Sequence, residues 1–409
     1  MDNVTETTPC IVGVARTPIG GLNGCMSSFT AVELGAMSIK EALKRSNVSP
    51  GIVEEVFMGN VLQAGLGQNP ARHAAVLAGV PTTVPATTIN KVCASGMKAV
   101  ALASQSIRLG EAHVIVAGGF ESMSNSPHCI PALRRGVKYG STQVLDIMQH
   151  DGLTNPFGKM KGELMGNCGE LCAAQHDIGR DEQDRFAALS YRRAHAARES
   201  GKFQREIFPV EVRSRRGATL VAADEESLSR GAMTFESLSK LKTAFAKDGT
   251  VTAGNASTIS DGGAALVIVS GKKAKELNLK IMAIVAGAAD AAHDAELFTT
   301  APSLAIPKAL KRAKVHPDAV DFYELNEAFS VVGCVNVKLL GLDIEKVNVY
   351  GGAVSLGHPL GCSGARILIT LLSALQNEGG MIGCAGICNG GGGASAIVLK
   401  RLQSFESSL

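Results

Sequence analysis

Thr87-Thr-Ile-Asn-Lys-Val-Cys93 runs into Ala94-Ser-Gly96, and that junction sets the reading of the whole chain. The first stretch is β-like and ends in a polar turn. A helix of small residues then extends to Leu109 and stops at Gly110, and an apolar strand, His113-Val-Ile-Val-Ala117, follows and ends in Gly118-Gly119. Upstream, Val53 to Asn60 reads as a strand ending at an asparagine. The same order returns later. Val320-Asp-Phe-Tyr-Glu-Leu-Asn326 is a strand ending at an asparagine, Cys362-Ser-Gly364 opens an apolar helix to about Leu375, and Gly379-Gly380 stops it. A strand from Met381 to Cys388 then ends in Gly390-Gly-Gly-Gly393. This repetition predicts a duplicated α/β unit, with mainly parallel sheets covered by helices on both faces.

Between the copies, residues 123 to 258 differ in character. They carry Arg134-Arg135, Arg192-Arg193 and Arg213-Ser-Arg-Arg216, with helical patterning from Asp181 to Glu199. The segment reads as an inserted subdomain whose charges form a solvated face. The division expected is therefore 1–122 with 259–281, then 123–258, then 282–409.

Composition narrows the function classes. With 409 residues, 45% of them apolar and 19% charged, the chain can bury a large core. Aromatics make up only 4%, tryptophan is absent and the formal net charge is +3. Neither base stacking nor a basic field supports nucleic-acid binding. The ten cysteines include no C-x-x-C pair and no zinc-finger spacing, so neither a metal site nor a disulfide framework is expected. No apolar run reaches the roughly 20 residues of a membrane span. Met1 to Pro9 reads as neither a secretory nor a transit segment, so the cytosol is the expected compartment. Ser407-Ser-Leu409 resembles a peroxisomal address but lacks its basic middle residue.

Four positions could do chemistry. Cys93, opening a helix, would meet unpaired N–H groups and the positive helix end, which stabilise a thiolate. A buried, inert thiol is the plainer alternative. His358 lies in Gly357-His-Pro-Leu-Gly361, where two glycines permit close approach, and could activate a thiol. Cys388 precedes a glycine run without the Gly-Lys-Ser/Thr ending of a phosphate loop. Those glycines would instead expose N–H groups, as an oxyanion hole requires. Asn326 offers a neutral donor and acceptor for a water.

Five blocks carry a family resemblance: Asn90-Lys-Val-Cys-Ala-Ser-Gly-Met-Lys-Ala99, Val251-Thr-Ala-Gly-Asn-Ala-Ser257, Asn326-Glu-Ala-Phe329, Gly351-Gly-Ala-Val-Ser-Leu-Gly-His-Pro-Leu-Gly361 and Cys388-Asn-Gly-Gly-Gly-Gly-Ala394. They resemble the signature blocks of thiolases over nearly the whole chain, and the block around Cys93 is more like the acetoacetyl-CoA, biosynthetic branch. The resemblance implies thiolase-like βαβαβαββ halves in a five-layer α-β-α-β-α core with an inserted loop subdomain. It also implies a ping-pong condensation of two acetyl-CoA into acetoacetyl-CoA and CoA. Cys93 would be the acetylated nucleophile and His358 its base, while Cys388 would move a proton at the methyl carbon. Asn326 would hold a water, and the N–H of Gly390 would serve an oxyanion hole. Positions matching the family's CoA contacts are Met165, Arg230, Ser237, Ala253, Ser257 and Phe329.

The resemblance further implies a homo-oligomer, dimer or tetramer, and no metal or organic cofactor. One departure is visible: many biosynthetic relatives read His-Met-Gly where this chain has Leu164-Met165-Gly166, and Asn155 to Glu163 is a few residues longer. Competing readings are a 3-ketoacyl-CoA thiolase for longer chains, a ketoacyl synthase of the same fold, and a non-catalytic CoA- or lipid-binding scaffold.

Overall fold

The computed structural model describes residues 4–214 and 217–402. Arg215, Arg216 and Ser407-Ser408-Leu409 lie outside the described residues. One ten-stranded sheet runs through both halves. Its main strands are β1 (Pro9–Arg16), β2 (Glu55–Gly59), β3 (Ala86–Ile89), β4 (Val114–Ser122), β5 (Ser260–Ser270), β6 (Ala283–Ala292), β7 (Phe322–Leu325), β8 (Ile382–Asn389) and β9 (Gly393–Lys400). Their order across the sheet is β7-β8-β9-β6-β1-β5-β4-β2-β3, and the short Gly20–Gly21 pair adds to β5. The halves meet where β1 pairs β6 over only Cys10↔Ile284 and Ile11↔Ala283.

Strand alternation explains the layers, because successive side chains point to opposite faces. On β5, Ala264, Leu266 and Ile268 face a central core. Ala265, Val267 and Val269 face an outer one. Helix α1 (Ala31–Ser46) covers that outer face. Two helices fill the centre: α2 (Ser95–Leu109) and, after the segment between the halves, α6 (Leu360–Asn377). The far face is covered by α5 (Ala301–Ala313). The result is α-β-α-β-α, five layers deep.

Local signals account for the helix ends. Thr30 and Glu33 form a reciprocal capping box on α1, which ends at Asn47 in the left-handed region. Gly110, with φ of 75°, ends α2. Buried on all sides from Leu360 to Leu375, α6 suits the middle layer. Its first turn crosses α2 closely enough that a methyl group on Gly96 would sit 2.8 Å from the Gly361 carbonyl. One on Gly119 of β4 would overlap that same oxygen.

The expectation of a mainly parallel sheet is corrected. Only β2·β3, β2·β4 and β7·β8 are parallel. The run Gly390-Gly-Gly392 turns the chain back, with positive φ at Gly391 and Gly392, so β8 and β9 form an antiparallel hairpin. Strand β5 returns antiparallel to β4 after the long segment between them.

That segment contributes α3 (Met165–His176) and α4 (Arg180–Glu199). Its charges are only partly solvated. Arg213 is exposed, but Arg193 is largely buried and donates to the carbonyls of Ile344 (3.0 Å) and Val347 (2.7 Å). Glu206 and Asp224 are fully buried around Arg16, at 2.9 and 2.7 Å. Among the described residues no helix is long and apolar enough to cross a membrane.

Candidate active site

Cys93 sits at the end of a turn that three polar groups hold. The Asn90 Oδ1 accepts from the Val92 N–H at 3.0 Å, and the Lys91 N–H donates to Ser95 Oγ at 2.8 Å. Ser95 Oγ donates in turn to the Val92 carbonyl at 2.6 Å. Val92 is forced to φ 48°, a region that β-branched residues avoid. Cys93 precedes Ala94, the N-cap of α2. It is 9% exposed, and burial pushes its thiol up to about 12. The N–H groups of Gly390 and of Cys93 itself pull in the opposite direction without reversing that. The expected helix-stabilised thiolate is therefore corrected: the resting group is a thiol, because desolvation outweighs the N–H contacts.

His358 arrives from the other half. Its backbone N–H is shared between the Thr258 carbonyl (3.2 Å) and Ser260 Oγ (3.1 Å). Its ring Nδ1 lies 2.6 Å from Ser363 Oγ. That hydroxyl already donates its single proton to the Pro359 carbonyl at 2.8 Å, so it accepts from Nδ1–H. The tautomer this dictates leaves Nε2 bare, and Nε2 is buried with no hydrogen-bond partner within the protein. Burial, reinforced by the Arg366 charge, lowers the imidazole to about 3. The loop after it is anchored by Glu121, whose carboxylate accepts from the N–H of Gly361 (2.8 Å), Val61 (3.0 Å) and Leu62 (3.1 Å). Burial raises that carboxyl to about 7 while those three donors pull it down.

Cys388 is the penultimate residue of β8, opposite Ala394, and is fully buried. Burial drives its thiol well above the ordinary value, and Cys93 adds to the rise, which puts the two sulfurs within electrostatic reach. Asn326 follows β7 and its N–H donates to the Gly386 carbonyl at 3.0 Å, beside Cys388 on the same strand. Its amide is buried with both polar atoms unpartnered within the protein. The fold therefore gathers Cys93, Gly390 and Cys388, with Asn326 anchored two residues from Cys388.

His358 also lines a largely apolar cavity of about 700 Å³ with Leu360, Met165, Phe329, Ser257, Ala253 and Arg230. That size suits a small organic ligand.

The comparisons with known proteins agree with one another. The family described as the thiolase N-terminal domain matches residues 10–272, and the thiolase C-terminal domain matches 279–401. Acetyl-CoA acetyltransferase 1 of Arabidopsis thaliana is 57% identical over 403 residues, covering 98% of this chain and 95% of the relative. A cytosolic acetyl-CoA acetyltransferase of Gibberella zeae is 52% identical over 393 residues (96% and 98%). The acetyl-CoA acetyltransferase of Saccharomyces cerevisiae is 52% identical over 399 residues (96% and 98%). The chain belongs to the thiolase family.

Within this thiolase, five of the six positions matched to CoA contacts line the cavity, and Ser237 does not. The Ser237 hydroxyl instead donates to the Thr234 carbonyl at 2.7 Å and closes a short helical turn. Arg230 is held by Glu226 (2.7 Å), the Tyr191 hydroxyl (3.1 Å) and the Ala253 carbonyl (3.1 Å). Leu164 lines the cavity and precedes α3, so the departure from His-Met-Gly falls on the cavity wall. The longer stretch before it closes on itself, Asn155 pairing with Glu163 and Gly162 at 2.8 Å each. Sequence reading missed Met148, Leu153 and Phe245 on the cavity wall. They lie in the segment read as solvated, and no spacing singles them out. Ser363 was also missed, although its place in the first turn after His-Pro was a usable signal. Among the described residues no group of three or more His, Cys, Asp or Glu side chains could hold a metal ion.

Proposed function

We propose that the chain is an acetyl-CoA C-acetyltransferase, catalysing the reversible condensation of two acetyl-CoA into acetoacetyl-CoA and CoA. The observation carrying this is the meeting of the Cys93 sulfur with the Gly390 N–H, with Cys388 in electrostatic reach, while His358 presents a bare Nε2 on the wall of the apolar cavity. The names of the relatives support the acetyl substrate. We take residues 1–122 with 259–281 as the half bearing the nucleophile and 282–409 as the half bearing His358 and Cys388. Residues 123–258 then form the CoA-binding insertion.

Thiol and imidazole are both neutral at rest, so the proton must move as the bond forms. Cys93 attacks the thioester carbonyl while His358 Nε2 takes its proton, and the oxyanion is held by the N–H groups of Cys93 and Gly390. The tetrahedral adduct collapses to acetyl-Cys93, and CoA leaves with the proton from His358. A second acetyl-CoA binds. His358 draws the proton off Cys388, which then takes one from the methyl carbon, and the enolate oxygen is held by His358 and a water on Asn326. The carbanion attacks acetyl-Cys93, and the departing Cys93 sulfur recovers its proton from His358. Thiolysis is the reverse, with the Cys388 thiol giving its proton to the departing carbanion. No metal or organic cofactor enters this scheme, since the thioester itself acidifies the carbon.

The relative named cytosolic supports a cytosolic setting, and the family resemblance supports a dimer or tetramer. Mass spectrometry after mixing with acetyl-CoA tests the division of labour. An acetyl adduct on Cys93 is expected in the wild type and in Cys388→Ser, but not in Cys93→Ser, and Cys388→Ser should make no acetoacetyl-CoA. Loss of the adduct in Cys388→Ser would refute the separate roles. Cleavage of 3-ketodecanoyl-CoA as fast as acetoacetyl-CoA would move the enzyme to the longer-chain class.

A further inference from the structure

Lys91 lies two residues before Cys93, yet its side chain leaves that half of the molecule altogether. An ammonium has three N–H groups. Those of Lys91 reach Asp290 Oδ1 (2.6 Å), Ser395 Oγ (2.7 Å) and the Ala394 carbonyl (3.0 Å), all on β6 and β9. Ser395 Oγ donates its own proton to Asp290 Oδ1 at 2.6 Å, and Lys98 holds Asp290 Oδ2 at 2.8 Å. Ala394 is the residue paired across the hairpin with Cys388, and Ser395 is paired with Asp290. The ammonium therefore grips the backbone directly opposite the second thiol. A second point of contact lies beside it: the Gly390 N–H reaches the Cys93 sulfur. The turn that ends in Cys93 is thus fastened twice to the hairpin that ends in Cys388 and Gly390, across a boundary where β1 and β6 pair over only two residues.

We propose that Lys91 is a positioning residue that sets the placement of Cys93 against Cys388 and the Gly390 N–H. This rests on the reading that both thiols react. The grip needs a compact donor with three diverging protons, which a planar guanidinium lacks. Lys91 and Asp290 are 25% and 39% exposed, and ion pairs this accessible contribute little to stability. Positioning, by contrast, is unforgiving: a displacement of about 1 Å can cost about a hundredfold in rate. The signature of the clamp is therefore a fall in turnover without a matching fall in melting temperature.

The test compares the full-length protein with Lys91→Met, Asp290→Asn and Lys98→Met. Lys98 also pairs with Asp290, but the hydrogen bonds to Ala394 and Ser395 come from Lys91. Lys91→Met is expected to lower kcat for acetoacetyl-CoA thiolysis about tenfold or more, with KM within about twofold. Asp290→Asn should fall between, and Lys98→Met should stay within about twofold. An activity-free readout accompanies these: dibromobimane, which fluoresces on bridging two nearby thiols, with the bridged peptides identified by mass spectrometry. Bridging of Cys93 to Cys388 is expected in the wild type and Lys98→Met and reduced in Lys91→Met. Wild-type kcat and bridging in a folded Lys91→Met would overturn the proposal. Should that variant not fold, full activity and bridging in Asp290→Asn would overturn it instead. A wild type that bridges but never acetylates Cys93 would defeat the proposed function while leaving the placement standing.

Discussion

The two central helices begin after turns of opposite construction. Before α6 the chain reverses at Gly357, with φ of 106°, and glycine adopts that conformation at little cost. Before α2 it reverses at Val92, where the left-handed region costs about 1–3 kcal/mol. Neither helix has a side-chain N-cap hydrogen bond. The first turn only has to deliver an imidazole, which Ser363 then orients. The second must also seat a side chain against the central core, where Val92 packs, and glycine has none to offer. Strain is thus accepted where a Cβ has work beyond the turn, and it is held there by Asn90, Ser95 and Lys91. One property is shared: burial keeps the reacting group of each turn neutral, the thiol near 12 and the imidazole near 3.

The strongest way to break this symmetry is His358→Asn. Removing a general base typically costs about 10²–10⁴ in rate, so acetylation of Cys93 should fall by that factor in rapid-mixing experiments. The same variant tests neutrality. His358 titrates near 6.5 when unfolded and near 3 when folded. Between those values the unfolded chain binds the extra proton, so the stability due to the buried neutral ring is complete above 6.5 and is lost as pH falls. The wild type should therefore lose about 1.1 kcal/mol per pH unit more than His358→Asn between pH 6.5 and 5, in urea titrations. Equal losses would mean that the ring is not buried neutral, and the two turns would differ in charge as well as in build.

Gly119→Ala attacks the placement of the glycine turn from outside it. The new methyl group would overlap the Gly361 carbonyl, so the His358 loop must shift away from β4. Such overpacking costs about 1–3 kcal/mol, and a melting-temperature drop should come with a roughly tenfold loss of kcat. A drop in stability with kcat intact would show that the loop and the histidine move independently.

Much of this contrast was legible beforehand. The duplicated order of strand, helix, glycine stop and strand located both central helices to within a few residues, because their ends are written in local chemistry: Gly110, Pro359, and Gly379 after Asn377. Sheet direction was misread because β propensity is silent about partners, although a glycine run between two apolar runs is a hairpin signal. The Val92 conformation had no signal at all, since valine in a β-like run predicts an extended backbone. The state of the Cys93 thiol was also beyond reach: sequence shows the helix start but not the depth of burial that outweighs it. Lys91 carried no signal of its own, because its partners lie 199 and 304 residues ahead.

The mildest test returns to Val92. Val92→Gly would relieve the left-handed strain, but it also frees the unfolded chain, at about 0.4–1 kcal/mol for such an exchange. It removes the side chain packed against the central core as well, so net stability should stay within about 1 kcal/mol of the wild type. Turnover should still fall about two- to fivefold, because the turn can then drift relative to the Gly390 N–H by a fraction of an ångström. Val92→Asn separates the terms. Asparagine tolerates the left-handed region yet keeps a side chain, so it should gain stability while losing the apolar fit, and its kcat should lie with that of the glycine variant. Both variants running as fast as the wild type would make the strain a cost without a use. The two turns would then differ only in which residue happened to fill them.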